Sequence, residues 1–311
     1  MKRFLTYATG TALFAALPSF AQEVKTYPAP GEIVAAAKAE EWRAIAPSDL
    51  LVMDLAPDAA GKPRRVVIQL MPAPFSQGWI GNIRKLATAH WWDGTAIVRV
   101  QDNYVTQWGD PTEKKALPDG LEVVPESEYS VSKKQQNGGW TAKTMKGTAP
   151  KQKGEYGLSQ TLSGWPIGRD ARHIWPTHCY GMVGVARNLS PDTGTGAELY
   201  TVIGHAPRHL DRNIALVGRV IEGMEHLSSL PRGTGALGFY EKEEDRVPIL
   251  SVRLGQEAQD VPAFEFLSSE STSFAAYADA RANRRDPFFI RPAGGADICN
   301  IPVPVRRKPS K

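Results

Sequence analysis

The sequence predicts a mainly β fold in which many short strands close into a barrel, with one early helix and one late helix. Three observations support this prediction. Runs rich in apolar and β-branched residues recur along the chain, at 50–55, 64–70, 182–186, 199–203, 214–220 and 248–254. An early helix is indicated by helical spacing of apolar residues after the second run. A late helix is indicated by a segment that ends at Pro231 and Gly233, before the last run. The 311 residues, 42% of them apolar, suffice for one large domain with additions.

The first residues have the pattern of an export signal. Lys2 and Arg3 precede an apolar run over 12–17, and small residues follow up to Ala21. We therefore expect a signal peptide over 1–21, a mature chain that begins at Gln22, and a periplasmic protein. The apolar run is far shorter than the roughly 20 residues that a membrane-spanning helix needs, so we expect no membrane span.

The elements that follow can be assigned in chain order. Residues 22–48 form an N-terminal arm with a short helix over 30–45, because apolar residues there fall near helical spacing. The runs at 50–55 and 64–70 are separated by a turn rich in Gly, Pro and Asp, which predicts a hairpin. Apolar residues four and three apart then predict an amphipathic helix over 76–89.

The overall charge argues against a nucleic-acid or membrane-surface partner. Lys and Arg total 37 against 33 for Asp and Glu, and cleavage after Ala21 removes Lys2 and Arg3, leaving 35 against 33. Much of the excess lies in the last residues, which is typical of a solvated tail. We expect a monomer that binds no nucleic acid.

The chain has two cysteines, Cys179 and Cys299. An oxidising compartment would allow one disulfide between them, which would fix the C-terminal tail to the body of the protein. The alternative is two buried thiols that act as small apolar side chains. The sequence leaves both alternatives open.

The most informative segment, residues 91–111, reads WWDGTAIVRVQDNYVTQWGDP. It resembles the active-site ribbon of the cyclophilins, whose pattern runs Tyr-Asp-Gly-Thr-x-Phe-His-Arg-Val and then Gly-Phe-Met-Ile-Gln-Gly-Gly-Asp-Pro. The residues that match are Asp93, Gly94, Thr95, Arg99, Val100, Gln107, Gly109, Asp110 and Pro111. Val98 replaces the usual His, and Trp108 replaces the first Gly of Gly-Gly-Asp.

The resemblance implies a closed eight-stranded antiparallel β-barrel capped by two helices, and a peptidyl-prolyl cis-trans isomerase. We expect a cyclophilin-like domain over 49–255 with an insertion at about 112–180, and a C-terminal extension over 256–311 with a helix at 271–283. The polar insertion is either an added hairpin or functional loop, or a mobile decoration. A tail that covered the groove would make the enzyme autoinhibited.

Rotation about a prolyl bond needs little chemical machinery, although its barrier is roughly 18–20 kcal/mol. An apolar slot for the proline ring and one donor to the prolyl nitrogen suffice. Arg99 matches the catalytic arginine of the family, and its guanidinium is always charged. Alternation along the strand places Ile97 and Arg99 on one face and Val98 and Val100 on the other. The alternative is an arginine in a surface ion pair.

The resemblance also implies a set of substrate-binding residues. These are Tyr104, Val105, Gln107, Ala186, Arg187, Glu198, Tyr200, His209 and Leu210. Glu198 stands for a family glutamine, His209 for a tryptophan, and Ile214 for a pocket histidine. A pair between Glu198 and Arg99 would partly neutralise the guanidinium.

We therefore expect an isomerase that acts on exported, folding polypeptides that contain proline, without a cofactor. His205 and His209 are four apart, but Pro207 argues against the helix that a zinc pair would need. The alternative function is a peptide-binding or chaperone module that kept the groove and lost most catalysis. Trp108 decides between them, because its indole either fills the proline slot or packs into the barrel.

Overall fold

A computed structural model of the chain describes residues 26–132, 152–154 and 157–309, so the predicted signal peptide lies outside the described residues. The strands in these ranges are, in chain order, β1 (Trp42–Ala44), β2 (Leu50–Leu55), β3 (Arg64–Leu70), β4 (Ala96–Val100), β5 (Val105–Gly109), β6 (Val131–Ser132), β7 (Gln152–Gly154), β8 (Gly157–Leu162), β9 (Trp165–Arg169), β10 (His173–Pro176), β11 (Met182–Val185), β12 (Leu199–Val202), β13 (Leu216–Glu222), β14 (Val247–Leu254), β15 (Phe264–Leu267) and β16 (Val305–Arg307). The α-helices are α1 (Pro30–Ala35), α2 (Gln77–Thr88), α3 (Glu225–Ser228) and α4 (Thr272–Ala282).

Eight strands form the closed barrel that the sequence predicts. Their order around the barrel is β11-β12-β5-β4-β14-β2-β3-β13, and the pairs are antiparallel. Apolar side chains such as Met53, Ile68 and Val183 are buried in its core. The predicted hairpin is confirmed, since β2 and β3 pair in continuous register from Leu50 with Gln69 to Leu55 with Arg64.

The early helix is confirmed and the late one is shorter than predicted. α2 buries Trp79, Ile83 and Leu86 against the barrel core, as its helical spacing indicates. The late helix, predicted over 221–230, is reduced to the four residues of α3. β13 continues to Glu222, where it still pairs with β3, and Gly223 adopts a left-handed φ of 81°. The first two residues of the predicted helix, 221 and 222, therefore belong to the sheet instead.

The two ends of the described chain pack together beside the barrel. The helix predicted over 30–45 is wrong in extent, because α1 ends at Ala35 and β1 pairs with β15. The edge of β15 opposite β1 pairs with β16. α4 is confirmed where a helix was predicted, and Ser271 accepts a hydrogen bond from the backbone N–H of Phe274 at its N-terminus.

The polar insertion carries its own sheet. Strands β6 to β10 form a five-stranded sheet in the order β6-β10-β9-β8-β7. Trp165 and Trp175 are buried in it, as bulky aromatics that pack an insertion down should be, whereas Trp140 lies outside the described residues. Cys179 and Cys299 form a disulfide, which resolves the open alternative. Within the described ranges, every helix is too short or too polar to cross a membrane.

Candidate functional site

A β-bulge in β4 shapes the centre of the site. Ile97 pairs with Trp108 and Arg99 pairs with Gln107, so Val98 is an extra residue in this strand. Ile97 and Val100 are both buried in the barrel core, while Val98 and Arg99 both line a surface groove. The simple alternation predicted from the sequence is therefore wrong here, because the bulge shifts the side chains by one position.

Arg99 is held at the floor of this groove by several acceptors. Its Nε donates to the carbonyl oxygen of Leu237 at 2.7 Å, and its Nη1 donates to Oε1 of Gln107 at 3.1 Å. Nη2 donates to the side chain of Gln101. The guanidinium carbon lies 5.7 Å from the ring centre of Tyr104. Half-burial lowers the pKa of Arg99 below its ordinary value, but a guanidinium stays charged in a protein.

Glu198 contacts Gln107 rather than Arg99. Nε2 of Gln107 donates to Oε2 of Glu198 at 3.0 Å. Burial raises the pKa of Glu198 above its ordinary value of 4.5, and the nearby charges of Glu113 and Asp110 raise it further, against the hydrogen bond from Gln107. Gly109 makes room for this carboxylate, because a Cβ there would lie 2.6 Å from Cγ of Glu198. A Glu198–Arg99 pair was one alternative from the sequence, and the structure has instead a chain of hydrogen bonds through Gln107.

An apolar slot lies beside Arg99. It contains the side chains of Tyr104, Val105, Tyr200 and Ile214, which cluster with the buried Val202. Tyr200 on β12 pairs with Gln107 on β5. Its ring therefore lies next to the hydrogen-bonded residues Arg99, Gln107 and Glu198. An apolar slot with a guanidinium beside it can accept an apolar ring and donate to the amide next to that ring.

The hydroxyl of Tyr200 leads to a buried polar network that the sequence analysis missed. Both the backbone N–H and Nδ1 of His178 donate to Oδ1 of Asp211 at 2.9 Å, which leaves Nε2 to accept from the Tyr200 hydroxyl at 2.9 Å. Nε of Arg208 donates to the other Asp211 oxygen at 2.8 Å. Burial lowers the pKa of His178, which favours the neutral imidazole that this arrangement needs.

Sequence spacing carried no signal for this network, because His178 lies 22 residues before Tyr200 and meets it only in the folded barrel. Gly184 on β11 pairs with Tyr200, and any Cβ at this position would collide with the tyrosine ring. The Tyr200 ring is therefore held by packing against Gly184 and by the hydrogen bond between its hydroxyl and His178.

Trp108 packs into the barrel and leaves the slot open. Its side chain is only 1% exposed and belongs to the main hydrophobic core. The groove has a volume of about 780 Å³. No residue after Arg246 lines it in the described part of the chain, so the described C-terminal tail does not cover it.

Nine of the ten predicted site residues come together in this groove. They are Arg99, Tyr104, Val105, Gln107, Ala186, Arg187, Glu198, Tyr200 and Leu210. His209 does not join them, because it is exposed in the middle of a short 3₁₀ turn. In the same turn Arg208 is buried and Leu210 lines the groove. The sequence analysis also missed Leu237 and Phe239, which belong to a glycine-rich loop without periodic pattern.

Comparisons with known proteins show the family and the fold of the chain. Residues 65–254 match the family model described as cyclophilin type peptidyl-prolyl cis-trans isomerase/CLD. The fold is similar to the crystal structure of cyclophilin AquaCyp293 from Hirschia baltica, with a TM-score of 0.63, 20% identity, and coverage of 87% of this chain and 96% of that one. No curated protein sequence matches the chain.

Two crystal structures of a cyclophilin type peptidyl-prolyl cis-trans isomerase from Cryptosporidium parvum are more distant. One was obtained in the presence of the dipeptide Ala-Pro. Both share 12% identity with this chain at a TM-score of 0.37, and they cover 65% and 66% of it and 98% and 97% of their own chains.

Proposed function

The chain belongs to the family of cyclophilin-type peptidyl-prolyl cis-trans isomerases, and we propose that it isomerises prolyl bonds in exported polypeptides and thereby assists their folding. The observation that carries this proposal is the position of Arg99, a half-buried cation 5.7 Å from the ring of Tyr104 in the apolar slot. We assign Arg99 as the catalytic residue.

The proposed mechanism uses the slot and the guanidinium together. The proline ring enters the slot between Tyr104, Val105 and Tyr200, which fixes one end of the amide. The Arg99 guanidinium then donates to the prolyl nitrogen and draws its lone pair out of conjugation with the carbonyl. Loss of conjugation lowers a barrier of roughly 18–20 kcal/mol, and each 1.36 kcal/mol removed raises the rate about tenfold.

Two features favour this activity over a peptide-binding module without turnover. Trp108 is buried in the barrel core, so it does not block the slot. Arg99 is oriented by Leu237 and Gln107, and Gln107 stands between it and the carboxylate of Glu198. The guanidinium therefore keeps its charge available for a substrate amide.

The export of the protein rests on two supports. The N-terminal residues have the order of a secretory signal, with Lys2 and Arg3 before an apolar run and small residues up to Ala21. The disulfide between Cys179 and Cys299 is typical of an oxidising compartment. Both fit a periplasmic foldase whose substrates are proline-containing chains that arrive unfolded.

Cell fractionation with mass spectrometry of the full-length gene product tests the export. We expect a periplasmic protein that begins at Gln22 and carries the intact disulfide. A cytoplasmic protein that retains Met1 would contradict this part of the proposal.

A refolding assay tests the foldase role. The mature protein should accelerate the slow phase of a polypeptide whose refolding is limited by a prolyl bond, and Arg99→Ala should not. Arg43→Ala, which removes an exposed arginine outside the groove, is the matched control and should keep the acceleration. An unchanged slow phase with the folded intact protein would contradict the foldase role.

A further inference from the structure

A loop over residues 233–240 lies directly beside Arg99. β4 pairs with β14 only at Ala96 and Ile97. Beyond Ile97, the loop forms hydrogen bonds to this edge of β4 in place of β14. The backbone N–H of Gly233 donates to the Val100 carbonyl at 3.0 Å, and that of Tyr240 donates to the Val98 carbonyl at 3.0 Å. The loop is thus hydrogen-bonded to β4 on both sides of Arg99.

The same loop presents two large apolar side chains to the groove. Leu237 is 66% exposed and Phe239 is 39% exposed, and both line the groove. The ring centre of Phe239 lies 5.4 Å from the guanidinium carbon of Arg99. Exposed apolar side chains that adjoin a binding groove commonly mark a contact for a ligand.

The backbone of the loop is fixed in the conformation that exposes Leu237. Leu237 has a φ of 56°, a left-handed value that is rare for residues other than glycine. Its carbonyl oxygen accepts the hydrogen bond from Nε of Arg99. Gly238 follows with a φ of 80° and approaches the backbone of Gln101 so closely that a Cβ would lie 2.7 Å from its Cα. Strained residues of this kind concentrate at functional sites.

We propose that Leu237 and Phe239 form an apolar subsite for the side chain of the substrate residue adjacent to the proline. This subsite rests on the proposed function, because its occupant is defined by the proline in the slot. Adjacent Cα atoms are 3.8 Å apart, and the Phe239 ring lies 5.4 Å from the guanidinium that contacts the prolyl amide. The side chain of a residue next to the proline is therefore close enough to contact Leu237 and Phe239. The substrate class is a peptide with a large apolar residue next to proline.

Peptide binding to the intact mature protein tests this proposal, because binding needs no turnover. The peptides are Ala-Ala-Pro-Phe, Ala-Phe-Pro-Gly and Ala-Ala-Pro-Gly, and their dissociation constants are measured by NMR titration. The first two place the aromatic residue after or before the proline, which decides the direction of the bound chain. We expect one of them to bind about five- to tenfold more tightly than Ala-Ala-Pro-Gly, as partial burial of one apolar side chain on the groove wall implies.

Three variants assign the preference to the loop. Leu237→Asn removes the apolar side chain and tolerates the left-handed φ, so it should reduce the preference to about twofold or less. Leu237→Met keeps an apolar side chain and should keep most of the preference. Leu250→Asn makes the matched change at a leucine that is 55% exposed outside the groove, and should leave the preference intact.

Rates of isomerisation on the same peptides separate the two proposals. Equal binding of all three peptides by an intact protein that accelerates their isomerisation would overturn the subsite alone. Retention of the full preference by Leu237→Asn would also overturn it. An intact, folded protein that neither binds nor isomerises any of the peptides would overturn both the subsite and the proposed function.

Discussion

Gln107 connects Arg99 to Glu198, because it accepts from the guanidinium at 3.1 Å and donates to the carboxylate at 3.0 Å. The carboxylate thereby fixes the orientation of the amide, with its oxygen toward Arg99. A glutamine that is held in this way orients the guanidinium without neutralising it. Glu198 therefore reaches Arg99 only through the orientation of Gln107.

The first prediction concerns the pH dependence of stability. Because burial raises the folded-state pKa of Glu198 above 4.5, the folded state binds more protons than the unfolded state as pH rises past that value. The stability that Glu198 contributes is present below pH 4.5 and is lost as pH rises through the folded-state pKa. Glu198→Gln should therefore be more stable than the intact protein at pH 8, and the difference should shrink at pH 4.

Urea unfolding of both proteins at the two pH values measures this difference. Glu244→Gln is the control, because Glu244 is exposed and does not line the groove. This variant should show no such pH-dependent gain. A Glu198→Gln protein with the same stability difference at pH 4 and pH 8 would contradict the assignment of a raised pKa.

The second prediction concerns the network behind the slot. Tyr200→Phe keeps the ring but removes the hydroxyl that Nε2 of His178 accepts from. A buried acceptor without a partner costs about 1–3 kcal/mol, so the variant should lose that much free energy of unfolding in a denaturant titration. Tyr180→Phe, at a half-exposed tyrosine, should lose much less. Equal stability of the two variants would mean that the His178 contact contributes little.

The third prediction concerns Trp108. Its side chain is buried in the barrel core, so Trp108→Ala should destabilise the protein by about 3–5 kcal/mol. If the indole instead blocked the slot, the same change would leave stability nearly intact and increase peptide binding. Thermal unfolding together with a peptide titration distinguishes these outcomes.

The sequence predicted the parts of the fold that depend on local pattern. The hairpin of β2 and β3 and the helix α2 follow from apolar runs and helical spacing over short stretches. The resemblance in 91–111 located Arg99, Tyr104 and Gln107 in one ribbon. These features could be predicted because residues close in sequence are also close in the barrel.

The remainder depends on contacts that no local pattern records. The bulge at Val98 shifted the face of Arg99, because alternation assumes a regular strand. His178 meets Tyr200 only through the packing of the barrel. Leu237 lies 138 residues from the arginine that it orients, in a loop whose glycines give no periodic signal.

The most direct test of this account is the rate of cis-to-trans relaxation of a short Ala-Pro peptide with the intact mature protein, Arg99→Ala, Arg99→Lys and the control Arg43→Ala. We expect clear acceleration by the intact protein and the control. Arg99→Ala should lose about 100-fold or more, as expected when a preorganised donor is removed, and Arg99→Lys should recover little, because a lysine lacks the planar fork. Undiminished acceleration by a folded Arg99→Ala protein would contradict the catalytic role of Arg99.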